Sequence, residues 1–294
     1  MTRRQAILSL WTTCLIWGAA FPLAKVALRD ASPMAFTASR FLLAAVILLP
    51  MLKGTTRDEW RHGAILGLLL SLGFATQTIG LNLTTASRSG FITALYIPFV
   101  PIIVWLVDRT LPDRLAGLGL VVALGGMALL TRPGDLGGGP NVGDLLTLFC
   151  AICFAAHMVA TGAFAQRFRV ERLMMTQIIV SAGLTMLATP LLETPRFNPT
   201  PVLLALVAYE AILASVVAIR LQLSAQQVLT PTYTALIYTL EPVIAALTSM
   251  LITGDRLTPL QWLGGMLIVG GSLLPEVGAR LGQPRNGVTP ESRA

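Results

Sequence analysis

Long runs of apolar residues, separated by short polar connections, fill most of the sequence. A helix needs about 20 mostly apolar residues to cross the hydrocarbon core of a bilayer. Ten runs approach or exceed that length, at about 6–28, 33–52, 62–83, 88–107, 114–131, 143–165, 171–192, 201–221, 227–253 and 259–277. Proline or glycine stands at many of their borders, as expected where helices end. The pattern therefore predicts an all-α polytopic membrane protein with ten transmembrane helices.

The composition agrees with a lipid environment. Hydrophobic residues make up 54% of the chain and charged residues only 12%, whereas about a quarter of the residues of a soluble domain are charged. The runs do not alternate in polarity as the strands of a membrane barrel would. The net charge of +7 could suggest nucleic acid, but the basic residues form short clusters between the apolar runs. We therefore expect the lipid bilayer as a partner and no nucleic acid.

The distribution of lysine and arginine predicts the orientation in the membrane. With the N-terminus in the cytoplasm, fourteen basic residues fall on cytoplasmic ends and loops and five fall outside. The positive-inside rule therefore favours cytoplasmic N- and C-termini in a bacterial-type inner membrane. Met1–Gln5 resembles the start of a signal peptide. The apolar run that follows is long and lacks a cleavage site, so we expect it to remain as a membrane span.

The second half of the chain repeats the first. Trp17, Phe21 and Arg40 align with Phe154, Met158 and Gln177 at an offset of 137 residues, and Pro101 aligns with Pro242 at 141. Each half then holds five helices, and an odd number forces the second copy to enter the membrane from the opposite side. The sequence predicts two inverted five-helix repeats, residues 1–135 and 140–277, followed by a disordered cytoplasmic tail, 278–294. Many secondary transporters use inverted repeats to form a site near the bilayer midplane.

Five ionisable side chains fall inside the apolar runs, where each is costly unless it is paired or hydrated. They are Lys25, Arg40, His157, Glu210 and Glu241. His157 and Glu210 are the candidates for a hydrated central site, and Arg40 needs an anionic or carbonyl partner. Lys25 can extend to the outer surface. Glu241 precedes Pro242 and is expected to brace a kink, with substrate contact as the alternative.

Prolines and polar or aromatic side chains supply the other candidates. Pro22, Pro101 and Pro242 interrupt apolar runs and are predicted hinges, since a proline removes a backbone hydrogen bond. Trp17 and Phe21 are four residues apart and share one face of the first helix, an arrangement that helix packing alone would also explain. The predicted substrate-binding residues are Trp17, Phe21, Gln77, Tyr96, His157, Met158, Glu210, Tyr233 and Tyr238.

Several classes of protein lack their required motifs in this chain. Neither lysine stands in a phosphate-binding loop, no HExxH motif occurs, and every aspartate lies in or next to a loop rather than in the interior of an apolar run. Cys150 and Cys153 have the spacing of a redox or metal pair, but they lie inside an apolar run, so helix packing is the favoured interpretation. We therefore expect no enzyme activity, no cofactor and no metal site.

Trp17-Gly18, Phe21, Lys25, Pro33 and Arg40 together resemble the pattern of the drug/metabolite transporter superfamily, EamA branch. The stretches GFITALYIPFVP, TALIYTLEP and GDRLTPLQWLGG fit the same pattern, so that the resemblance extends from about Leu10 to Leu274. The stretch PFVPIIVWLVDRTLP departs from it, because it lacks the glycine–acidic turn that Gly254-Asp255 supplies in the second half. The resemblance implies export of a small metabolite through a central cavity between helices 1, 3, 4, 6, 8 and 9, with helices 5 and 10 at the periphery.

Two functions remain open at this point. The first is a secondary exporter of neutral or aromatic amino acids that works by alternating access. Such export is either coupled to protons through Glu210 or His157, or is facilitated diffusion. The alternative is a multidrug effluxer in which Glu210 attracts a lipophilic cation. A membrane scaffold or enzyme without transport would instead require a dry, closed centre.

Overall fold

The computed structural model describes residues 1–84, 86–131, 141–253 and 257–281, and within these ranges every long regular element is a helix. The α-helices are α1 Arg3–Ala27, α2 Pro33–Leu48, α3 Arg57–Leu83, α4 Ala86–Ala94, α5 Tyr96–Asp108, α6 Arg114–Thr131, α7 Val142–Ala165, α8 Val170–Leu192, α9 Pro201–Tyr209, α10 Ala218–Gln226, α11 Pro231–Tyr238, α12 Glu241–Thr253 and α13 Pro259–Leu281. A 3₁₀ turn, Leu49–Leu52, extends α2, and a π-helical segment, Glu210–Val217, joins α9 to α10.

These helices form the ten expected membrane spans. Eight spans are long and apolar enough to cross a bilayer, and two shorter apolar helices, Arg114–Leu130 and Pro259–Leu274, complete the set within the described ranges. The fourth span consists of α4 and α5, the eighth of α9, the π segment and α10, and the ninth of α11 and α12. The prediction of a ten-helix polytopic membrane protein is therefore confirmed.

Local sequence explains where several spans begin. Thr2, Thr56 and Asn141 each accept a hydrogen bond from the backbone three residues on, and Gln5, Glu59 and Asp144 return one, which forms three capping boxes. Proline is the first residue of α2, α9 and α11. The N–H of the first helical residue has no acceptor within the helix, so proline, which lacks this N–H, loses no hydrogen bond there. Because Pro231 starts α11, the ninth span begins four residues later than the predicted 227.

Several residues near the end of each half of the chain lie outside the described ranges. The Gly254-Asp255 turn, two of the five basic residues predicted to lie outside (Arg132 and Arg256) and residues 282–294 of the predicted tail are among them. The helix α13 continues to Leu281, so the first four residues of the predicted tail, 278–281, are helical and that prediction is wrong for them.

The helices α6 and α13 pack closely through glycine. A Cβ atom on Gly126 would lie 2.5 Å from the Gly264 carbonyl oxygen, and one on Gly119 would lie 2.4 Å from that of Gly271. The earlier residue of α6 faces the later residue of α13, so the two helices run antiparallel. A Cβ on Gly125 would meet nothing within 4 Å. Only one member of the Gly125–Gly126 pair therefore makes the close contact.

The helices α2 and α8 also run antiparallel and are joined at both ends. At one end Glu193 accepts hydrogen bonds from Ser32 Oγ at 2.5 Å and from the Ala35 N–H at 2.9 Å. It thereby caps the N-terminus of α2, whose own Ser32 makes no side-chain cap. At the other end Arg172 donates hydrogen bonds to Met51 O and to Thr55 Oγ1. These contacts hold the second span against the seventh.

Candidate functional site

Two interrupted spans meet in the middle of the bundle. The fourth span breaks at Leu95, between α4 and α5, and the ninth breaks at Thr239–Leu240, between α11 and α12. Pro242 has no N–H to donate to the carbonyl four residues earlier, which favours the second break. Broken helices within a membrane are tolerated where the free backbone groups are buried in protein or line a hydrated cavity.

The first residues after the two breaks contact each other. Tyr96 begins α5 and Glu241 begins α12, and the Tyr96 hydroxyl lies beside the Glu241 carboxylate. Cys14 of α1 and Tyr238 at the end of α11 lie within electrostatic range of the same carboxylate. The spans 1, 4 and 9 therefore converge on a carboxylate that the sequence suggested would brace a kink.

A close approach of α1 brings these spans together. A Cβ on Gly18 would lie 2.7 Å from Ile244 and 3.0 Å from the Glu241 carbonyl oxygen, so glycine is needed at this crossing. One turn earlier, Cys14 Sγ donates a 3.5 Å hydrogen bond to the Ile237 carbonyl oxygen next to the break. Pro22 lies inside an uninterrupted α1, whereas Pro101 lies within α5 and Pro242 in the first turn of α12.

Aromatic side chains line the same region. The rings of Trp17 and Tyr238 meet edge to face with centroids 5.4 Å apart, and Trp17 Nε1 donates a 2.8 Å hydrogen bond to the Ala214 carbonyl oxygen of the π segment. The Phe21 ring, one turn further along α1, faces Gly90 of α4. Tyr233 is not part of this group, because it lies near the start of α11, where Arg3 covers its ring at 5.1 Å from the centroid.

Arg40 and Glu210 form a buried ion pair. Arg40 Nη1 lies 2.7 Å from Glu210 Oε2, and the two side chains are 7% and 1% exposed. Arg40 also donates hydrogen bonds to Ser215 Oγ and stacks on Phe74 at 4.4 Å from the ring centroid. Ser215 Oγ donates in turn to the Glu210 carbonyl oxygen five residues back. The anionic partner that Arg40 required is therefore Glu210.

His157 lies in a second polar group, between α7 and α8. Its Nε2 donates a 2.9 Å hydrogen bond to Gln177 Oε1, and both residues are buried. Beside it the Met158 carbonyl oxygen accepts a 3.0 Å hydrogen bond from Gln226 Nε2 of α10. Thr161 Oγ1, Gln177 Nε2, Gln222 Oε1 and Gln226 Oε1 are buried without a hydrogen-bond partner. Both His157 and Glu210 thus face the protein interior rather than acyl chains.

The remaining candidates are placed separately. Gln77 Nε2 donates a 3.4 Å hydrogen bond to Thr93 Oγ1, which joins α3 to α4. Lys25 is exposed in the last turn of α1, as expected for a lysine that extends to the surface. Cys150 and Cys153 are buried free thiols, and no group of three potential metal ligands occurs among the described residues.

The sequence did not identify every residue of these groups. Gln177 could have been found, because it aligns with Arg40 in the internal repeat. Ser215 could not, since its spacing of five from Glu210 has meaning only in a π-helix. A groove of about 420 Å³ between α12, α13 and the end of α6 is lined mainly by apolar side chains, among them Val243, Trp262 and Met266, and includes none of the predicted site residues.

Known proteins resemble the chain over nearly all of its length. The profile of the EamA-like transporter family matches twice, at residues 4–132 and 141–275. An uncharacterized transporter of Archaeoglobus fulgidus is 35% identical over 271 residues, which is 91% of this chain and 84% of that protein. The uncharacterized inner membrane transporter YedA of Escherichia coli K12 is 24% identical, covering 93% and 91% of the two chains. A solved crystal structure at 20% identity has the same fold, with a TM-score of 0.79 and coverage of 96% of this chain and 100% of that one.

Proposed function

The chain belongs to the EamA-like transporter family, and from that premise we propose that it exports a small metabolite across the inner membrane by alternating access. Neutral and aromatic amino acids are the proposed substrates. The observation that carries this proposal is the meeting of two broken spans around Tyr96 and Glu241 in the middle of the bundle. Secondary transporters commonly bind substrate where discontinuous helices meet near the midplane.

Contacts between the two halves support the inverted repeat on which alternating access depends. The second and seventh spans run antiparallel, and so do the fifth and tenth. The pair Gly119–Gly271 becomes Gly264–Gly126 when each residue is replaced by its counterpart 145 positions away in the other half. This exchange is what a two-fold axis in the membrane plane would produce, and the two separate family matches agree with it.

The chemistry of the centre supports an amino acid rather than an entirely apolar substrate. Aromatic rings from Trp17 and Tyr238 offer apolar and cation–π surface, and the neighbouring carboxylate offers an ionic contact. A lipophilic cation is the alternative substrate. Glu210 would attract such a cation only as a free carboxylate. Because Glu210 forms an ion pair with Arg40, binding of a lipophilic cation at Glu210 has less support. We propose transport without catalysis.

Counterflow into proteoliposomes tests this function. Vesicles that contain the purified protein and are loaded with unlabelled phenylalanine should accumulate labelled phenylalanine several-fold above protein-free vesicles. A panel of tryptophan, leucine and alanine extends the test, and an imposed pH gradient separates proton coupling from facilitated diffusion. Counterflow of ethidium in vesicles that show no amino-acid counterflow would favour the drug-efflux alternative. Failure to move any neutral or aromatic amino acid would refute the substrate assignment.

Cytoplasmic termini belong to the same proposal, supported by the excess of basic residues on the predicted inner side. The three native cysteines are buried, so introduced cysteines can report topology with a membrane-impermeant thiol reagent. We expect Asn198→Cys, in the exposed α8–α9 loop, to react in intact cells. Thr2→Cys should react only after the membrane is permeabilised. The opposite pattern would reverse the orientation.

A further inference from the structure

Glu241 stands out among the intramembrane charges because it has no cationic partner. The Tyr96 hydroxyl lies beside it, and Glu241 Oε1 is buried without a hydrogen-bond partner. Among the described residues no lysine, arginine or histidine lies within ion-pair distance of it. A buried carboxylate is costly in a membrane unless a cation, a proton or several donors compensate it.

Cations on the neighbouring α1 cannot compensate this carboxylate. Cys14 marks the level of Glu241 on α1, and Arg3 and Lys25 lie eleven residues before and after it. At a rise of 1.5 Å per residue, both are about 16 Å away along the helix axis. Lys25 is exposed, and Arg3 covers the Tyr233 ring. The compensation of this carboxylate therefore has to come from outside the described protein groups, as a proton or as an incoming cation.

The buried pair at Arg40 and Glu210 shows the contrasting arrangement. Glu210 has a guanidinium at 2.7 Å, which Ser215 and the Phe74 ring hold in place. A second cation at Glu210 would have to displace Arg40. Of Glu210 and Glu241, only Glu241 is therefore placed to accept an incoming positive charge.

The groups around Glu241 match a particular kind of cation. The Tyr238 hydroxyl is buried without a hydrogen-bond partner, and the Tyr96 hydroxyl already contacts the carboxylate. Trp17 packs against Tyr238, so aromatic surface lies beside the charge. A carboxylate with phenolic oxygens and aromatic rings suits a primary ammonium group attached to an apolar or aromatic body, because ammonium donates hydrogen bonds and is attracted to ring faces.

We propose that Glu241 binds the ammonium group of the transported molecule, with Tyr96 and Tyr238 as its hydroxyl partners, and that the Arg40–Glu210 pair is a structural tie. The inference rests on the proposed function, since it names the part of the substrate that this central site recognises. An amino acid and a simple amine share that group, and the experiment separates them.

Binding to the purified full-length protein tests the inference with three probes that share a phenyl ring. L-Phenylalanine has an ammonium and a carboxylate, phenethylamine has only the ammonium, and 3-phenylpropionate has only the carboxylate. We expect phenylalanine or phenethylamine to bind, measured by calorimetry and thermal shift, and 3-phenylpropionate not to bind. Glu241→Gln should weaken binding of the ammonium probes at least tenfold. Glu171→Gln is the control. It removes a carboxylate that is paired with Arg220 near the start of α8, and it should leave binding of the ammonium probes unchanged.

A second measurement uses the wild-type protein, so that it does not depend on the folding of a variant. Dicyclohexylcarbodiimide modifies carboxyl groups in membranes, and mass spectrometry locates the modified residue. Phenethylamine should slow modification of Glu241 several-fold, whereas 3-phenylpropionate should leave the rate unchanged.

Different results would overturn the two proposals. Equal affinity of the wild type and Glu241→Gln for the ammonium probes, absence of any ammonium binding, or modification of Glu241 unaffected by phenethylamine would each refute the role of Glu241. If amino-acid counterflow is observed together with any of these results, the proposed function stands although the role of Glu241 fails. If phenethylamine binds through Glu241 but no amino acid moves, the ammonium site stands and the amino-acid assignment fails.

Discussion

Arg40→Met should lower the midpoint of thermal unfolding in detergent more than any other single change considered for this protein. The substitution keeps most of the side-chain volume but leaves Glu210, which is 1% exposed, without its counter-charge. Breaking a buried ion pair by removing one partner typically costs about 3–5 kcal/mol. The contacts with Ser215 and Phe74 are lost at the same time. Thermal unfolding of the purified variant, followed by intrinsic fluorescence, measures the effect.

The double variant Arg40→Met/Glu210→Gln provides the control. It removes both charges together, so we expect it to recover a large part of the lost stability. Counterflow by the double variant then tests whether the pair has a role in transport, as the sequence suggested for Glu210, or only ties α2 to the π segment. Equal melting of the wild type and the Arg40→Met variant would contradict the energetic role of the pair.

Alanine at two adjacent glycines should change stability in opposite directions. Gly126→Ala places a methyl group 2.5 Å from the Gly264 carbonyl oxygen and 2.8 Å from the Ile268 nitrogen, both backbone atoms of α13. The helices must separate, and overpacking of this kind costs about 1–3 kcal/mol. Gly125→Ala meets nothing within 4 Å, and the higher helix propensity of alanine favours it by up to about 1 kcal/mol.

Thermal unfolding of the two purified variants measures this difference. Gly271→Ala and Gly270→Ala repeat the comparison on the facing helix, since a Cβ on Gly271 would lie 2.5 Å from the Gly119 carbonyl oxygen and one on Gly270 would be unobstructed. Similar destabilisation at both members of either pair would mean that α6 and α13 do not pack as described.

The number and character of the spans could be predicted from the sequence because a bilayer imposes a simple requirement. Each helix must present about 20 apolar residues to lipid, and the ten runs that meet or approach this length correspond to the ten spans found. Bounds were less predictable. The runs at 88–107 and 227–253 are each apolar enough overall to be counted as one span, so hydropathy could not show the interruptions at Leu95 and at Thr239–Leu240. Proline signalled only that a break was permitted.

The partners of the candidate residues could not be predicted in the same way. Arg40 needed an anionic or carbonyl partner by its depth, but Glu210 and Glu241 were both available in the sequence. Glu210 lies 170 residues from Arg40, and the crossing of α2 with the eighth span brings them together. The sequence ranked Glu210 above Glu241 as a central site residue. The contacts lead us to favour Glu241 over Glu210 as the central site residue, because Glu210 forms an ion pair with Arg40 and Glu241 has no cationic partner among the described residues.

By itself the sequence determined that this protein is a membrane bundle of ten helices with an internal repeat and few intramembrane charges. These properties depend on the solvent and on local composition, which every short stretch of the chain carries. Only the tertiary structure decided which glycine of each pair meets another helix, which charges neutralise each other and which carboxylate stays unpaired. Those outcomes depend on distances between residues remote in sequence, and a distance across the bundle is set by how all ten helices pack together.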